Sequence, residues 1–269
     1  MRGYFYKRLN FRTNIFSEKY YLDFSPKANY YFFDKDGIPL VSYNNNNIYF
    51  PVTVINYFIG LLDSNKFTVN EFKILANFIK QHINKDDFLL RHDFEEKNWN
   101  NKPVWFSNLP HAMLFSLLIR INIKIDVKKY LGKDLSFFYK SLFNEKIFDK
   151  KNFIFIEYPS IDSQPLNGQI FGLFAVYDAY HNQLEKKENF VKAINSTLIL
   201  LKKQITFFGW TMYNENRLAS PFYHFLHISQ LKVCEKMDSR FTKYRYKAQF
   251  AIIFYPFVVV YKLYKKFLQ

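Results

Sequence analysis

The sequence predicts an all-α-dominated fold: an (α/α) toroid or incomplete barrel of helix pairs, carrying short β-hairpin segments. Three observations point there. From residue 51 onward, apolar residues recur at helical spacing in segment after segment. These segments come as sequential pairs, with polar or extended connectors between them. Glycine is scarce (7 residues against 33 Phe and 21 Tyr), which argues against a glycine-rich nucleotide-binding fold, a propeller or collagen. Antiparallel helix pairs in sequence can close into a ring whose concave face binds extended chains. A solenoid of helix pairs is the competing architecture, although no TPR, HEAT or ankyrin repeat is present.

The elements follow in order. Residues 1–50 are rich in Tyr, Phe and Asn and read as an irregular or β-hairpin arm laid against the main body, which spans 51–269. Asp34-Lys35-Asp36-Gly37 is a turn signal, Asn44 to Asn47 a second polar break, and residues 38–43 between them are extended. Pro51 suits the first position of a helix, and Val52, Ile55, Phe58, Ile59 and Leu62 fall on one face. A second helix is expected over 68–84, with Thr68 and Glu71 spaced as a capping box. Residues 86–108 are polar, contain Trp99 and Trp105, and read as a loop. Helices are expected over 109–122, 127–144, 166–181, 187–203 and 222–237, with extended segments over 153–158 and 206–213. Residues 240–267 supply one or two more helices.

Composition narrows the function. Hydrophobic residues make up 49% and charged residues 23%, which excludes disorder as the main state. Lys and Arg number 38 against 23 Asp and Glu, so the net charge is +15 and the expected partner is anionic. The single Cys234 excludes a disulfide framework and a cysteine zinc site. Residues 1–10 alternate aromatic and basic side chains without an apolar core of the secretory kind, so cytoplasm is the default compartment. Residues 250–264, FAIIFYPFVVVYKLY, are too short to span a bilayer and are expected to form a buried terminal helix. A membrane-surface anchor helped by Lys262, Lys265 and Lys266 is the alternative.

Three constellations could carry chemistry. In Glu157-Tyr158-Pro159, the proline holds Tyr158 extended, so a carboxyl and a phenol are fixed at a strand end. Asn167-Gly168 follows at a helix start, where free N–H groups favour an anion. In the 223–231 segment, Tyr223 and His227 share a helix face, and His224 and His227 are three apart. That pair lacks the glutamate and cysteine partners of a metal site, so no metal is expected. Tyr213, Asn214 and Arg217 add a phenol and a guanidinium able to clamp a carboxylate. Tyr244-Arg245-Tyr246-Lys247 interleaves basic and aromatic residues, but no nucleic-acid-binding motif accompanies it, so nucleic acid is not an expected partner.

Taken together, these segments resemble the D-glucuronyl C5-epimerase family. EYPSIDSQPLNGQIFGLFAVYDAY (157–180) resembles its EYP…LNG…LxGLYD stretch, and YHFLHISQL (223–231) its YHxxHIxQL stretch. WTMYNENR (210–217) is similar to its Tyr-Asp-Leu-Arg segment, and LPHAMLFSLLIRI (109–121) to a helix ending in Leu-Arg, here Arg120. YLDFSPKANYYFFDKDGIPL (21–40) and YFPVTVINYFIGLLD (49–63) suit the entry to the family's C-terminal domain. The chain departs from the family in having Asn214 where an acid is usual, four residues from Tyr213 to Arg217 instead of three, and DKKNFIFI before Glu157 instead of paired glycines.

The resemblance implies C5 inversion of D-glucuronate to L-iduronate within a heparosan-type polysaccharide, without a cofactor. Such chemistry needs a base on one face of C5, an acid on the other and positive charge at the carboxylate. Tyr158 and Tyr223 are the expected pair flanking C5. Tyr213 would stabilise the enolate or relay a proton, and Glu157 would orient a phenol or bind sugar hydroxyls. Arg217 would hold the carboxylate, His224 and His227 would face and bind substrate beside it, and all three would lower a phenol's pKa. Asn167 would cap its helix and bind sugar, Trp105 would stack on a ring, and Arg120 would contact substrate. The expected partner is a uronate-containing anionic polysaccharide; a peripheral membrane or polysaccharide-assembly complex and a homodimer are compatible with the sequence. A polysaccharide lyase and a non-catalytic anionic-glycan-binding protein are the alternative readings.

Overall fold

The computed structural model describes residues 18–267. The expectations for residues 1–17, including the aromatic-basic start and the first part of the arm, lie outside the described residues. From there the chain goes straight into the core. Tyr20, Tyr21 and Leu22 are fully buried, and a 3-10 turn follows at Ser25–Asn29. Asp34 folds the next turn by accepting the N–H groups of Asp36 (2.9 Å) and Ile38 (2.8 Å). Strands β1 (Val41–Tyr43) and β2 (Asn46–Ile48) make a hairpin. Asn44 and Asn45 both take positive φ (50° and 64°), as a two-residue hairpin turn requires.

Helix α1 (Pro51–Asp63) starts at Pro51, as expected. Its Asp63 accepts the backbone N–H groups of Tyr20 (2.9 Å) and Phe24 (2.8 Å), which ties the entering segment down. Helix α2 (Val69–His82) carries the expected capping box: Glu71 accepts the Thr68 N–H at 3.0 Å, and Thr68 Oγ1 accepts the Asn70 N–H at 3.2 Å. The expected loop over 86–108 holds a hairpin of β3 (Arg91–His92) and β4 (Trp105–Phe106). Its tip folds around the Glu96 carboxylate, which accepts the Trp99 N–H (2.8 Å) and the Asn98 side chain (2.8 Å).

After α3 (Asn108–Asn122), the single helix expected over 127–144 is two, α4 (Val127–Leu131) and α5 (Leu135–Ser141). Gly132 ends the first at φ +70°, and Asp134 caps the second by accepting the Phe137 N–H at 3.2 Å. Strands β5 (Phe148–Asp149) and β6 (Ile154–Phe155) precede α6 (Leu166–His181) and α7 (Lys187–Lys203). Strands β7 (Met212–Asn214) and β8 (Arg217–Leu218) form a bulged hairpin ahead of α8 (Pro221–Met237). A 3-10 turn, α9 (Thr242–Phe250), a second 3-10 turn and α10 (Tyr255–Phe267) complete the described chain.

The architecture is helix-rich with short antiparallel strand pairs, and among the described residues no barrel closes. Helices α1, α3, α6 and α8 form a row in chain order, each packed on the next. Helix α7 lies against α6 and α9 against α8. Helix α6 sits so deep that every residue from 166 to 179 is buried.

The expectation of a buried helix over residues 250–264 is overturned. Pro256 lies in the first turn of α10, and Phe257 and Val260 are 73% and 66% exposed. One face of this segment packs, with Val258 and Ala251 joining Trp210 in a small separate core. Nothing described covers the other face.

Candidate active site

The segment after β6 is held by two glutamines that the sequence did not single out. Gln164 Oε1 accepts the N–H groups of Glu157 (2.8 Å) and Tyr158 (3.1 Å), and its Nε2 donates to the Tyr158 carbonyl (3.0 Å). Gln169 Oε1 accepts the Phe155 N–H at 3.0 Å, while its Nε2 reaches Ser196 and Thr197 on α7. Glu157 is thereby pressed onto the first turn of α6.

The Glu157 carboxyl is the centre of the cluster. Its Oε2 accepts a hydrogen bond from Asn167 Nδ2 (3.3 Å), and its Oε1 accepts one from the Tyr213 hydroxyl (3.4 Å). Burial pushes its pKa up to about 8, against the opposing pull of hydrogen bonds from Tyr158, Tyr213 and Asn167. The Tyr158 and Tyr223 hydroxyls both interact with Tyr213. The Tyr213 and Tyr223 rings meet edge to face at 4.5 Å. Three phenols and one carboxyl, from the segment after β6, from β7 and from α8, therefore converge.

Their protonation corrects the expectation of a lowered phenol pKa. Burial first, and the Glu157 charge second, raise Tyr158 and Tyr213 well above the ordinary value and Tyr223 to about 12. The histidines do not supply the missing positive charge. His224 is fully buried, stacked on Trp210 at 3.8 Å, with Nε2 donating to the Ala248 carbonyl (3.1 Å) and Nδ1 accepting the Thr211 N–H (3.2 Å). His227 is equally buried, with Nδ1 2.9 Å from Thr211 Oγ1. Burial pulls both down to about 3, so they are neutral braces behind the tyrosines. The expectation that they face substrate is overturned by that burial.

The other expected site residues divide in the same way. Asn167 does not cap α6: the cap position is Pro165, and the Asn167 side chain goes to Glu157, leaving its Oδ1 buried with no partner among the described residues. Arg120 is not at the site. It forms a buried ion pair with Asp178 (2.9 Å) beneath Tyr20 and Tyr21 and donates to the Ser116 and Lys19 carbonyls. Trp105 is buried, stacked on His92 at 3.8 Å, with its ring 5.9 Å from that of Tyr158 and its Nε1–H on the Phe94 carbonyl, so it packs behind Tyr158 and offers no free face to a sugar. The tryptophan that meets both Tyr158 and Tyr213 is Trp99, which the sequence left in a loop. Its ring stacks with Tyr213 at 6.0 Å and lies 5.5 Å from Tyr158, and Ser160 Oγ donates to its carbonyl. Arg217 is exposed, with its guanidinium 4.2 Å above the Trp99 ring.

Beside this cluster lies a cavity of about 170 Å³. The N-terminal halves of all four row helices line it: Val52 and Asn56 from α1, Leu109 and Met113 from α3, Asn167 from α6 and Tyr223 from α8. Lys27, from the turn before the first hairpin, is the charged residue in its wall. Helix N-terminal ends at the cavity wall, those of α6 and α8 among them, favour an anion there.

A comparison with curated proteins finds no match. The family model described as the D-glucuronyl C5-epimerase C-terminus matches residues 84–250, more than half of the 269-residue chain. That span contains Glu157, Tyr158, Asn167, Tyr213 and Tyr223, and the chain belongs to the D-glucuronyl C5-epimerase C-terminal family.

Proposed function

We propose that the protein inverts C5 of D-glucuronate to L-iduronate residues within an anionic polysaccharide. The observation that carries this reading is the meeting of Tyr158, Tyr213 and Tyr223 around Glu157, with Tyr223 and Asn167 also lining a cavity among the N-terminal halves of four helices. The row of α1, α3, α6 and α8, with α7 and α9 packed on its members, fits an incomplete (α/α) toroid whose concave end is the substrate face.

The C5 hydrogen lies alpha to a carboxylate, so removing it creates a second negative charge beside the first. A resting site of neutral phenols adds no repulsion to the incoming uronate. Lys27 would pair with its carboxylate, and Asn56 and the unpartnered Asn167 Oδ1 would take hydroxyls. Glu157, with a pKa near 8, is matched to general-base work near neutral pH. Its ionised fraction draws a proton through Tyr213 from the phenol facing C5. That phenol oxygen takes the C5 proton, and the electron pair moves into the carboxylate. The phenol on the opposite face then returns a proton to C5, and the tyrosines re-equilibrate through Tyr213. Tyr158 and Tyr223 are the two faces. Trp99 covers Tyr158 and Tyr213 at rest, so the 94–101 turn would lift to admit a chain, with Arg217 meeting a flanking anionic sugar.

The test is deuterium incorporation at C5 of a glucuronate-containing polymer in heavy water, with iduronate followed by NMR. Label at C5 supports the reading, and a Tyr223→Phe variant with full exchange would remove Tyr223 from it. No label with any glucuronate polymer overturns it, and an ultraviolet-absorbing unsaturated product would mark a lyase instead.

A further inference from the structure

Single exposed apolar side chains are ordinary on a protein surface; a contiguous group is not. Phe257, Val260, Tyr261 and Tyr264 are exposed at the three- and four-residue spacing of one helix face along α10, and Phe250 and Ile253 precede them. A groove of about 560 Å³ joins Phe257 and Tyr261 to Phe207 and Phe208 of the turn before β7. Phe207, at its edge, is 92% exposed.

The charge around this face has one sign. Residues 239–267 contain no Asp or Glu. Arg240 and Arg245 are engaged with Asp238 and Glu235, and Lys262 is half-buried near Arg217. Lys247, whose backbone carbonyl packs against Gly209 beside the Phe207 turn, and Lys265 of α10 are exposed. Among the described residues no helix is long and apolar enough to cross a membrane. An amphipathic helix of 13 residues can instead lie in the plane of the interface, apolar stripe down and lysines at the headgroups.

We propose that the α10 face and the Phe207 turn dock on an anionic lipid surface. Charge complementarity selects this occupant over a second copy of the chain, because a copy brings its own +15 to the same contact. The groove also includes Met212 and Leu218 of the β7–β8 hairpin, so the docked surface lies beside the strand that bears Tyr213.

The experiment is co-sedimentation of the full chain with vesicles of phosphatidylcholine alone and of phosphatidylcholine mixed with phosphatidylglycerol. Binding is expected on the mixed vesicles only, weakening as salt rises. Neutralising two exposed cations, Lys247→Gln with Lys265→Gln, is expected to weaken it roughly thirtyfold. The pair Phe257→Glu and Val260→Glu, at solvent-facing positions that leave the core intact, is expected to abolish it while the thermal midpoint holds. Three results would each overturn the proposal. These are equal binding to both vesicle types or to neither, undiminished binding by the Phe257→Glu/Val260→Glu variant, and a solution dimer that this variant dissociates.

Discussion

Glu157 Oε2 stands 2.5 Å from the point where a Cβ on Gly168 would sit. The absence of a side chain at residue 168 is what lets the carboxyl lie against α6 and reach Asn167. Gly168→Ala would push the carboxyl tip aside, which a flexible side chain can accommodate, but away from Asn167 and Tyr213. The expected outcome is a near-normal urea midpoint with C5 exchange strongly reduced. Gly172→Ala is the contrast. Its new methyl would meet the fully buried Phe155 ring, which cannot step aside, so a stability loss of about 1–3 kcal/mol is expected in the same measurement.

The Glu157 pKa sets the alkaline side of stability. It rises from 4.5 to about 8 on folding, so the folded protein keeps a proton that the unfolded chain releases. Its contribution is complete below about 4.5 and is lost as pH climbs through about 8. Urea midpoints across that window are expected to fall with rising pH in the wild type and to flatten in Glu157→Gln. A wild-type curve with no slope there would contradict the assignment.

Acid instability has the opposite sign and another source. Burial holds His92, His224 and His227 near 3, against an ordinary 6.5. The unfolded chain therefore takes up protons that the folded one refuses, and stability is lost as pH falls through 6.5 toward 3. Proton uptake on unfolding, read by calorimetry in buffers of different ionisation enthalpy, checks this.

Arg120→Ala leaves Asp178 buried without its cation. A loss of about 3–5 kcal/mol in unfolding free energy is expected. Because Arg120 is built into the α3–α6 contact rather than the cavity, the KM of the fraction that remains folded is expected to stay unchanged. A raised KM with normal stability would return Arg120 to the substrate site.

Arg217 and Trp99 act at the surface. Arg217→Ala removes an exposed cation–π contact worth about 0.5–1 kcal/mol, a small shift in the melting curve. Trp99→Ala uncovers Tyr213, and its phenol is expected to titrate nearer the ordinary tyrosine range in an ultraviolet pH titration.

Local signals in the sequence were the readable ones. The Thr68–Glu71 box, Pro51 at a helix start and the apolar stripes of α1 and α2 each act within a turn or two, so they needed no knowledge of the rest of the chain. Gly132 and Asp134 are local signals of the same kind, a left-handed stop and a cap, and they split the helix that apolar periodicity alone would run through 127–144. The Glu157, Tyr158, Tyr213 and Tyr223 set was legible through motif resemblance. Trp99 was not, because its turn is polar on every side and its ring finds Tyr213 only across the fold.

By itself the sequence determined the helical segments, the excess of positive charge and the family resemblance that singled out the candidate side chains, since spacing, caps and composition are properties of neighbours along the chain. The tertiary structure alone decided what those side chains are. It made His224 and His227 neutral struts, Arg120 an internal ion pair, the phenols protonated and one face of α10 bare. Each of these outcomes turns on removal from water, and burial is set by segments far apart in sequence.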